Sequence, residues 1–505
     1  MRIIKLILVF LVFAINATCQ GYNHQWLLGN NPFINFPNGR AYFDINSETF
    51  TSEFRKMSFK GTQANISDSN GNLLMASNGI WIANATGDTM LNGGGLNPGG
   101  ITPNWQFGLP MTYNNIFLPF PADTSKFALF HHTATFNGAY SQARELFYSE
   151  IDLTQDAGLG SVIQKNVILF QDTLNWGIGA CRHANGQDWW VVMMKDSSDL
   201  IFKILFTNSG ITSITSQNLG FQPFPWGNSS QISFSSNGNL FASTTYFPEN
   251  SLPMDSSNSS IVLLDFDRCN GNFSNPRTIK LSDSKYLFGN SFSSSGKYIY
   301  ACTSTRIFQI DTDNLNVDTV AVYDGFISPP GDPCCATSFW NMYLAANGKI
   351  YITSGSSVQH LTVINYPDSA GLACDVQQHS IDLVDYLHLR SVPNHPNYYL
   401  GCDTTLGCPC LTTGIEELNG ADFRFKVAPN PTHGNFKITY LLPQNQPGKL
   451  EVFDINGWRI YEMNLPHWST IQEVSLPVSV SNGVYNCMIT SGGERGSKKV
   501  VVYRE

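Results

Sequence analysis

Short apolar runs alternate with glycine- and asparagine-bearing turns along most of this chain, without a helical spacing of apolar residues. One unit returns six times: a turn, a strand, another turn and a second strand. Ser69-Asn70-Gly71-Asn72 opens Leu73-Leu74-Met75, followed by Ile80-Trp81-Ile82. Residues 125–130 are followed by 145–151, and Asn185-Gly186 leads into 189–193 and then 200–204. Asn237-Gly238, Ser295-Gly296 and Asn347-Gly348 open the remaining three, whose second strands cover 261–267, 307–311 and 361–364. A period of roughly 50 to 60 residues suits a four-stranded blade. Regular strands with glycine turns give an all-β fold, a β-propeller over residues 20–402. A parallel β-helix would repeat nearer to about 20 residues. Residues 24–66, including Gly29-Asn30-Asn31-Pro32, add a further strand-rich stretch. It either forms a seventh blade or closes the ring by pairing with the C-terminal strands, since an open array would leave bare strand edges. Seven blades are expected, with six as the alternative.

A second pattern begins near residue 421. Phe436, Ile438 and Tyr440 alternate with Lys437 and Thr439, as a half-buried strand requires. Leu450 and Val452 flank Glu451 ahead of Asp454-Ile455-Asn456-Gly457, a strong hairpin signal. Pro429 and Pro431 cannot donate ladder hydrogen bonds and belong at a strand start or on an edge. Tyr485 begins another short strand after Gly483. The sum is a small Ig-like antiparallel β-sandwich over residues 421–505. Residues 403–420, polar and glycine-bearing, read as the linker.

The termini and composition set the compartment. Met1-Arg2-Ile3-Ile4-Lys5 is a basic start, and residues 6–15 are an apolar run too short to span a bilayer. Ala17-Thr18-Cys19 is a small-residue cleavage site, so residues 1–19 read as a signal peptide. A lipobox on Cys19 is the rival reading, with Asn16 standing where an aliphatic residue belongs. No later segment is apolar enough to be a transmembrane helix. Only 13% of residues are charged while 42% are hydrophobic, as in an extracellular all-β protein whose polarity comes from amides and hydroxyls. The net charge of -9, with no basic stripe, argues against a nucleic-acid partner. Of eleven cysteines, Cys402, Cys408 and Cys410 cluster at the domain border, where disulfides would staple the linker. Their spacing lacks the paired C-x2-C steps of a structural zinc site. Adjacent Cys334 and Cys335 favour separate partners or free thiols.

Three tail motifs carry a family resemblance. They are Pro429-Asn430-Pro431-Thr432-His433-Gly434, the turn from Asp454 to Gly457, and Asn482-Gly483-Val484-Tyr485. In this order they resemble the type A C-terminal sorting domain of Bacteroidota type IX secretion system cargo. Asn482-Gly483 departs from the Pro-Gly frequent in that family. The resemblance implies passage through the periplasm and across the outer membrane, the secretion machinery as partner, a secreted or cell-surface location, and removal of the tail by a cut between about 411 and 426. Residues 66–74, 157–160, 264–271, 288–293 and 392–397 resemble propeller-like domains of such cargo, a likeness that implies no activity.

Candidate chemistry is sparse. His131 and His132 point to opposite sheet faces and cannot easily share a metal; surface histidines are the expected reading, one of them lining the channel as the alternative. Asp265, Asp267, Asn270 and Asn272 approach a calcium loop, the one cofactor suggested, but Cys269 and Asn270 occupy its fifth and sixth positions. A hairpin turn is expected there, and again at Asp311, Asp313, Asn314 and Asn316. Trp105, Trp189, Trp190, Trp226 and Trp340 offer flat surface for sugar rings or for blade packing. No nucleophile elbow, zinc-protease motif or phosphate loop appears. The expected function is a binding scaffold for extracellular glycan or protein. The alternative is a hydrolase or lyase on polysaccharide or peptide, with acidic or histidine groups converging at the channel mouth.

Overall fold

The computed structural model describes residues 21–30, 41–45, 49–52, 55–68, 71–136, 141–221, 231–244, 260–281, 287–328, 335–383, 387–390, 392–411, 425–440, 442, 446–455, 457–466, 471–491 and 494–504. The expected signal peptide, Trp226, Cys334 and most of the expected cleavage region lie outside them.

Seven sheets follow one another along the chain. Blade 1 holds β1 (Gln25–Leu28), β2 (Ala41–Asp44) and β3 (Thr49–Ser52). Blade 2 holds β4 (Ala64–Ser67), β5 (Leu73–Ser77), β6 (Trp81–Ala83) and β7 (Thr89–Gly94). Blade 3 begins with β8 (Asn115–Phe120) and β9 (Asp123–His131); β10 (Ala134–Phe136) lies on the margin of β11 (Ser141–Asp152). β12 (Ser161–Arg182) serves two blades: its first half pairs with β11, and its second half pairs with β13 (Trp189–Lys195). β14 (Leu200–Thr207) and β15 (Gly210–Asn218) complete blade 4. Blade 5 is β16 (Ile232–Phe234), β17 (Leu240–Thr244), β18 (Ser260–Asp267) and β19 (Asn272–Lys280). Blade 6 is β20 (Gly289–Phe292), β21 (Tyr298–Cys302), β22 (Arg306–Asp311) and β23 (Val317–Val322). Blade 7 is β24 (Met342–Leu344), β25 (Ile350–Ile352), β26 (His360–Ile364) and β27 (Val376–Asp382). Each of the six sequence repeats is the middle pair of strands of one of blades 2 to 7.

The first strands of these sheets stand side by side around an axis: β4 by β8, β12 by β16, β16 by β20, β20 by β24, with β1 beside β4. The result is a seven-bladed β-propeller; the six-bladed alternative is set aside, because residues 25–52 form a sheet of their own. Middle strands are buried on both faces, so alternate residues feed different cores. In β21, Ile299 and Ala301 pack toward blade 5, while Tyr298, Tyr300 and Cys302 pack toward blade 7. The turn from first to second strand repeats a left-handed glycine at Gly71, Gly186, Gly238, Gly296 and Gly348. At Gly238 a Cβ would also sit 2.7 Å from Arg268 and Leu400 side-chain atoms, so glycine is required there twice over.

Ring closure uses both ends of the domain. Trp26 and Leu28 pack into blade 7 with Tyr351, Leu361 and Val363. β1 runs antiparallel to the segment leading into β4, since Gln63 Nε2 bonds the Leu27 carbonyl and Asn65 Nδ2 bonds the Gln25 carbonyl (2.7 Å). Residues 387–390 and 392–401 pass alongside blade 1 toward the ring axis. This segment runs antiparallel to β1: Asn30 N bonds the Leu387 carbonyl (2.7 Å) and Tyr22 N bonds the Tyr399 hydroxyl (2.6 Å). It works as an axial strut. Asn394 donates to the carbonyls of Asn115 and Ile178, Tyr398 to that of Phe117 (2.9 Å), and Asn397 to that of Ser236 (2.7 Å). The expected closure by C-terminal residues thus occurs through side chains rather than a strand ladder.

The strut leaves the ring under two disulfides, Cys402–Cys410 and Cys269–Cys408. Leu411 N still bonds the Asn185 carbonyl (3.1 Å), so residues 403–411 of the expected linker lie against blades 4 and 5. Cys335 is also disulfide-bonded, while Cys181, Cys302, Cys374 and Cys487 are free and buried.

Candidate functional site

The ring axis holds a cavity of about 270 Å³ between the strut and the first strands of blades 4 to 7. That lies near the lower end of small-ligand sites, roughly 300–1,000 Å³. Its inner end is closed by amides. Gln231 Oε1 accepts from Asn290 N (3.1 Å) and Asn341 Nδ2 (3.4 Å), and Gln231 Nε2 reaches across to the Met342 carbonyl (2.5 Å). The other end reaches the half-buried turn residues Ser236, Ser294, Ala346 and Gly348. The walls combine hydroxyls, amides and aromatic rings with aliphatic side chains such as Ile232, Met342, Leu400 and, from the tail, Leu442, and no carboxylate is among the described lining residues.

Two lining residues can carry positive charge. Arg182, at the end of β12, lies with its guanidinium 3.9 Å over the Trp189 ring and donates from Nη1 to the Gln187 carbonyl. Burial pulls its pKa down to about 10, which leaves it protonated at neutral pH. His395 bonds the Asn65 carbonyl through Nε2 (2.6 Å), so Nε2 carries the proton; burial pushes its pKa down to about 4 and keeps the ring neutral.

The sequence candidates lie elsewhere. His131 and His132 are fully buried, not surface groups, and neither lines the cavity. The inference of opposite faces holds: His131 contacts Asn97 Oδ1 (2.7 Å) and Ser149 Oγ (2.8 Å), whereas His132 contacts the Trp176 carbonyl (2.7 Å). Blade sheets are covered on both sides, which sequence alternation cannot reveal. Burial lowers their pKa values to about 3 and about 4. Between pH 6.5 and 4 the unfolded chain therefore binds protons that the folded chain refuses, and stability rises with pH. Each histidine should contribute a slope of about 1.4 kcal/mol per pH unit there. Urea midpoints should fall on acidification from pH 6.5, and His131→Gln should flatten that fall.

The aspartate turns are closed hairpins. Asp267 Oδ1 accepts from Cys269 N (2.7 Å) and Asn270 N, and Asp311 Oδ1 accepts from Asp313 N (2.9 Å) and Asn314 N at the equivalent place in blade 6. Trp189 and Trp190 are buried between blades, and half-buried Trp340 stacks on Phe288 at 3.7 Å. One arrangement escaped sequence reading. Ser328 Oγ lies 2.8 Å from His360 Nδ1, and His360 Nε2 lies 3.8 Å from Asp382. It resembles a nucleophile triad, but Ser328 is fully buried and already accepts from Gln359 N (2.9 Å), so no substrate can reach it.

The tail folds into two facing sheets. Its strands are β28 (Phe425–Ala428), β29 (Asn435–Tyr440), β30 (Gly448–Phe453), β31 (Arg459–Leu465), β32 (Ile471–Ser475), β33 (Gly483–Ser491) and β34 (Glu494–Val502). β28-β29-β32 pack on β31-β30-β33-β34, with Phe436, Ile438, Tyr440, Leu450 and Val452 in the shared core, as their alternation requires. β33 has nine residues and is not the short strand expected. Residues 426–503 match the family model of the secretion system C-terminal sorting domain. The tail is a C-terminal sorting domain. It marks the protein as cargo exported by the type IX secretion system.

In this sorting domain the three sequence motifs meet at one end. Pro429, Asn430 and Pro431 follow β28, and the Asn430 amide bonds the Lys499 carbonyl and Val501 N (both 2.8 Å) on the edge of β34. Gly434 adjoins Arg504, which donates to the carbonyls of His433, Leu476 and Pro477. Gly483 pairs with Val502, and Tyr485 donates to the Ser481 carbonyl (2.7 Å). Asp454 and Gly457 close the β30–β31 turn beside them, as the pairing of Phe453 with Asn486 fixes.

Among curated proteins none matches the chain. Solved structures similar to it include the following two. A functionally unknown protein from Desulfotomaculum acetoxidans is 11% identical over 74% of this chain and 99% of its own, with a TM-score of 0.38. A quinonprotein alcohol dehydrogenase-like protein from Bacteroides thetaiotaomicron is 9% identical over 74% of this chain and 78% of its own, with a TM-score of 0.35. The blade architecture rests on the sheets of this chain. Among the described residues no helix is long and apolar enough to cross a membrane.

Proposed function

We propose that this is a Bacteroidota protein, made with a cleaved signal peptide and displayed outside the cell, that binds a small polar extracellular ligand in its axial cavity. The ring of residues 20–402 is the binding domain, and the sorting domain of residues 421–505 is the address. The observation that carries the reading is the lining. Hydroxyls and amides offer hydrogen bonds without a carboxylate or an accessible nucleophile beside a base among the described lining residues. A glycan unit fits that chemistry better than an extended peptide, which needs an open groove or a sheet edge. The motif-bearing end of the sorting domain is proposed as its face toward the secretion machinery.

Calorimetric titration of the full mature chain with mono- and oligosaccharides and short peptides tests this. Saturable binding of a monosaccharide-sized ligand is expected. Ala346→Trp, which narrows the mouth from a half-buried turn, should weaken it about tenfold or more, or about 1.4 kcal/mol. No binding by any of the panel, or unchanged binding in Ala346→Trp, would sink the reading.

A further inference from the structure

The geometry points to a narrower ligand class: a polyhydroxylated acid of about one sugar ring, such as a hexuronic acid, with its carboxylate on Arg182. This rests on the binding reading above. Arg182 is the one arginine or lysine among the described lining residues, and no carboxylate of the described residues forms an ion pair with it. Asp188 acts on Arg182 only through space, and its carboxylate accepts from Asn185 Nδ2 (2.7 Å). Arg268 lies behind Arg182 and donates its Nε to the Arg182 carbonyl (2.9 Å), which adds a second buried positive group. A largely desolvated guanidinium without a paired anion is costly to keep. Its stacking on Trp189 and its bond to Gln187 fix its plane, and a held planar fork matches the two oxygens of a carboxylate.

The rest of the wall asks for donors. Ser233 Oγ donates to Asn290 Oδ1, Ser291 Oγ to the Phe292 carbonyl (3.4 Å), and Ser294 Oγ to the Gly348 carbonyl (3.3 Å). Each hydroxyl has its proton engaged within the protein and keeps lone pairs, so these groups act as acceptors. Several acceptors along one wall and one fixed cation at its end describe a ligand with several hydroxyl donors and one anionic group. The small volume limits it to one ring.

Titration of the full, disulfide-intact mature chain with galacturonate, glucuronate, glucose and glucose 6-phosphate tests the assignment. A hexuronate should bind about tenfold or more tightly than glucose, an advantage of about 1.4 kcal/mol, and added salt should erode it. Arg182→Gln should abolish that advantage, bringing hexuronate affinity down to that of glucose in the same variant, with melting temperature as the folding control. Should Arg182→Gln not fold, Ser291→Ala provides the second readout: it removes one acceptor and should weaken hexuronate binding several-fold. Glucose bound as tightly as the uronates would overturn the anion assignment while leaving the binding reading intact. Glucose 6-phosphate bound more tightly than either uronate would overturn the carboxylate assignment. Absence of binding by all four, in a chain that binds nothing else, removes both.

Discussion

Removal of residues 421–505 should leave the protein in the periplasm, with little or none in the medium or at the cell surface. The reason is geometric as well as familial. Motifs separated by tens of residues converge on one end of the sorting sandwich, and that end exposes an apolar set: Ile455 (84% exposed), Trp458 (75%) and Val478 (93%). Arg504 binds the Val478 carbonyl and so holds this residue beside the Pro429–Gly434 segment. Side chains this exposed contribute little to folding, yet an apolar patch is what a partner surface can dehydrate. Replacing all three by serine should reproduce the retention caused by deletion while leaving thermal melting unchanged. Fractionation and immunoblotting of periplasm, surface and medium check both. Normal extracellular yield after deletion would refute the sorting role.

Trp26→Ala should destabilise the ring by about 3–5 kcal/mol, the range for a fully buried large aromatic. Trp26 is completely buried at the seam between the first and last sheets. It meets Tyr343 edge-on at 5.9 Å and Tyr351 at 5.4 Å. No ladder of backbone hydrogen bonds reinforces this seam among the described residues, so side-chain packing carries closure there. Chemical denaturation followed by tryptophan fluorescence reads the loss. A shift below about 1 kcal/mol would mean the seam relaxes around the void and closure rests on the strut alone.

Much of this fold was legible because local rules sufficed. Five of the six repeats begin with a turn whose glycine is left-handed, and each pair of apolar runs became neighbouring strands. The tail alternation at Phe436, Ile438 and Tyr440 translated directly into a buried face. What escaped reading depended on distant partners. Val392-Pro393-Asn394-His395-Pro396-Asn397 has no strand periodicity, because its bonds go through side chains to several blades rather than to one neighbouring strand. Residues 161–182 fall between two repeats and carried no strand expectation, yet β12 is one strand with a largely exposed first half and a mostly buried second half. Arg182 carried no motif. Its significance arises only when four blades and the strut enclose it. His131 and His132 showed the limit of alternation, which gives the face of a residue but not its depth.

The axial strut also sets an order of events. Synthesis delivers β1 to β3 first, but the core that covers Trp26 includes residues 345–392, and the Cys269–Cys408 bond waits for residue 408. The leading end of a nascent chain must therefore remain unassembled until nearly four hundred residues have followed it. During that interval its unpacked sheet, with Trp26 uncovered, is exposed to aggregation and to proteases.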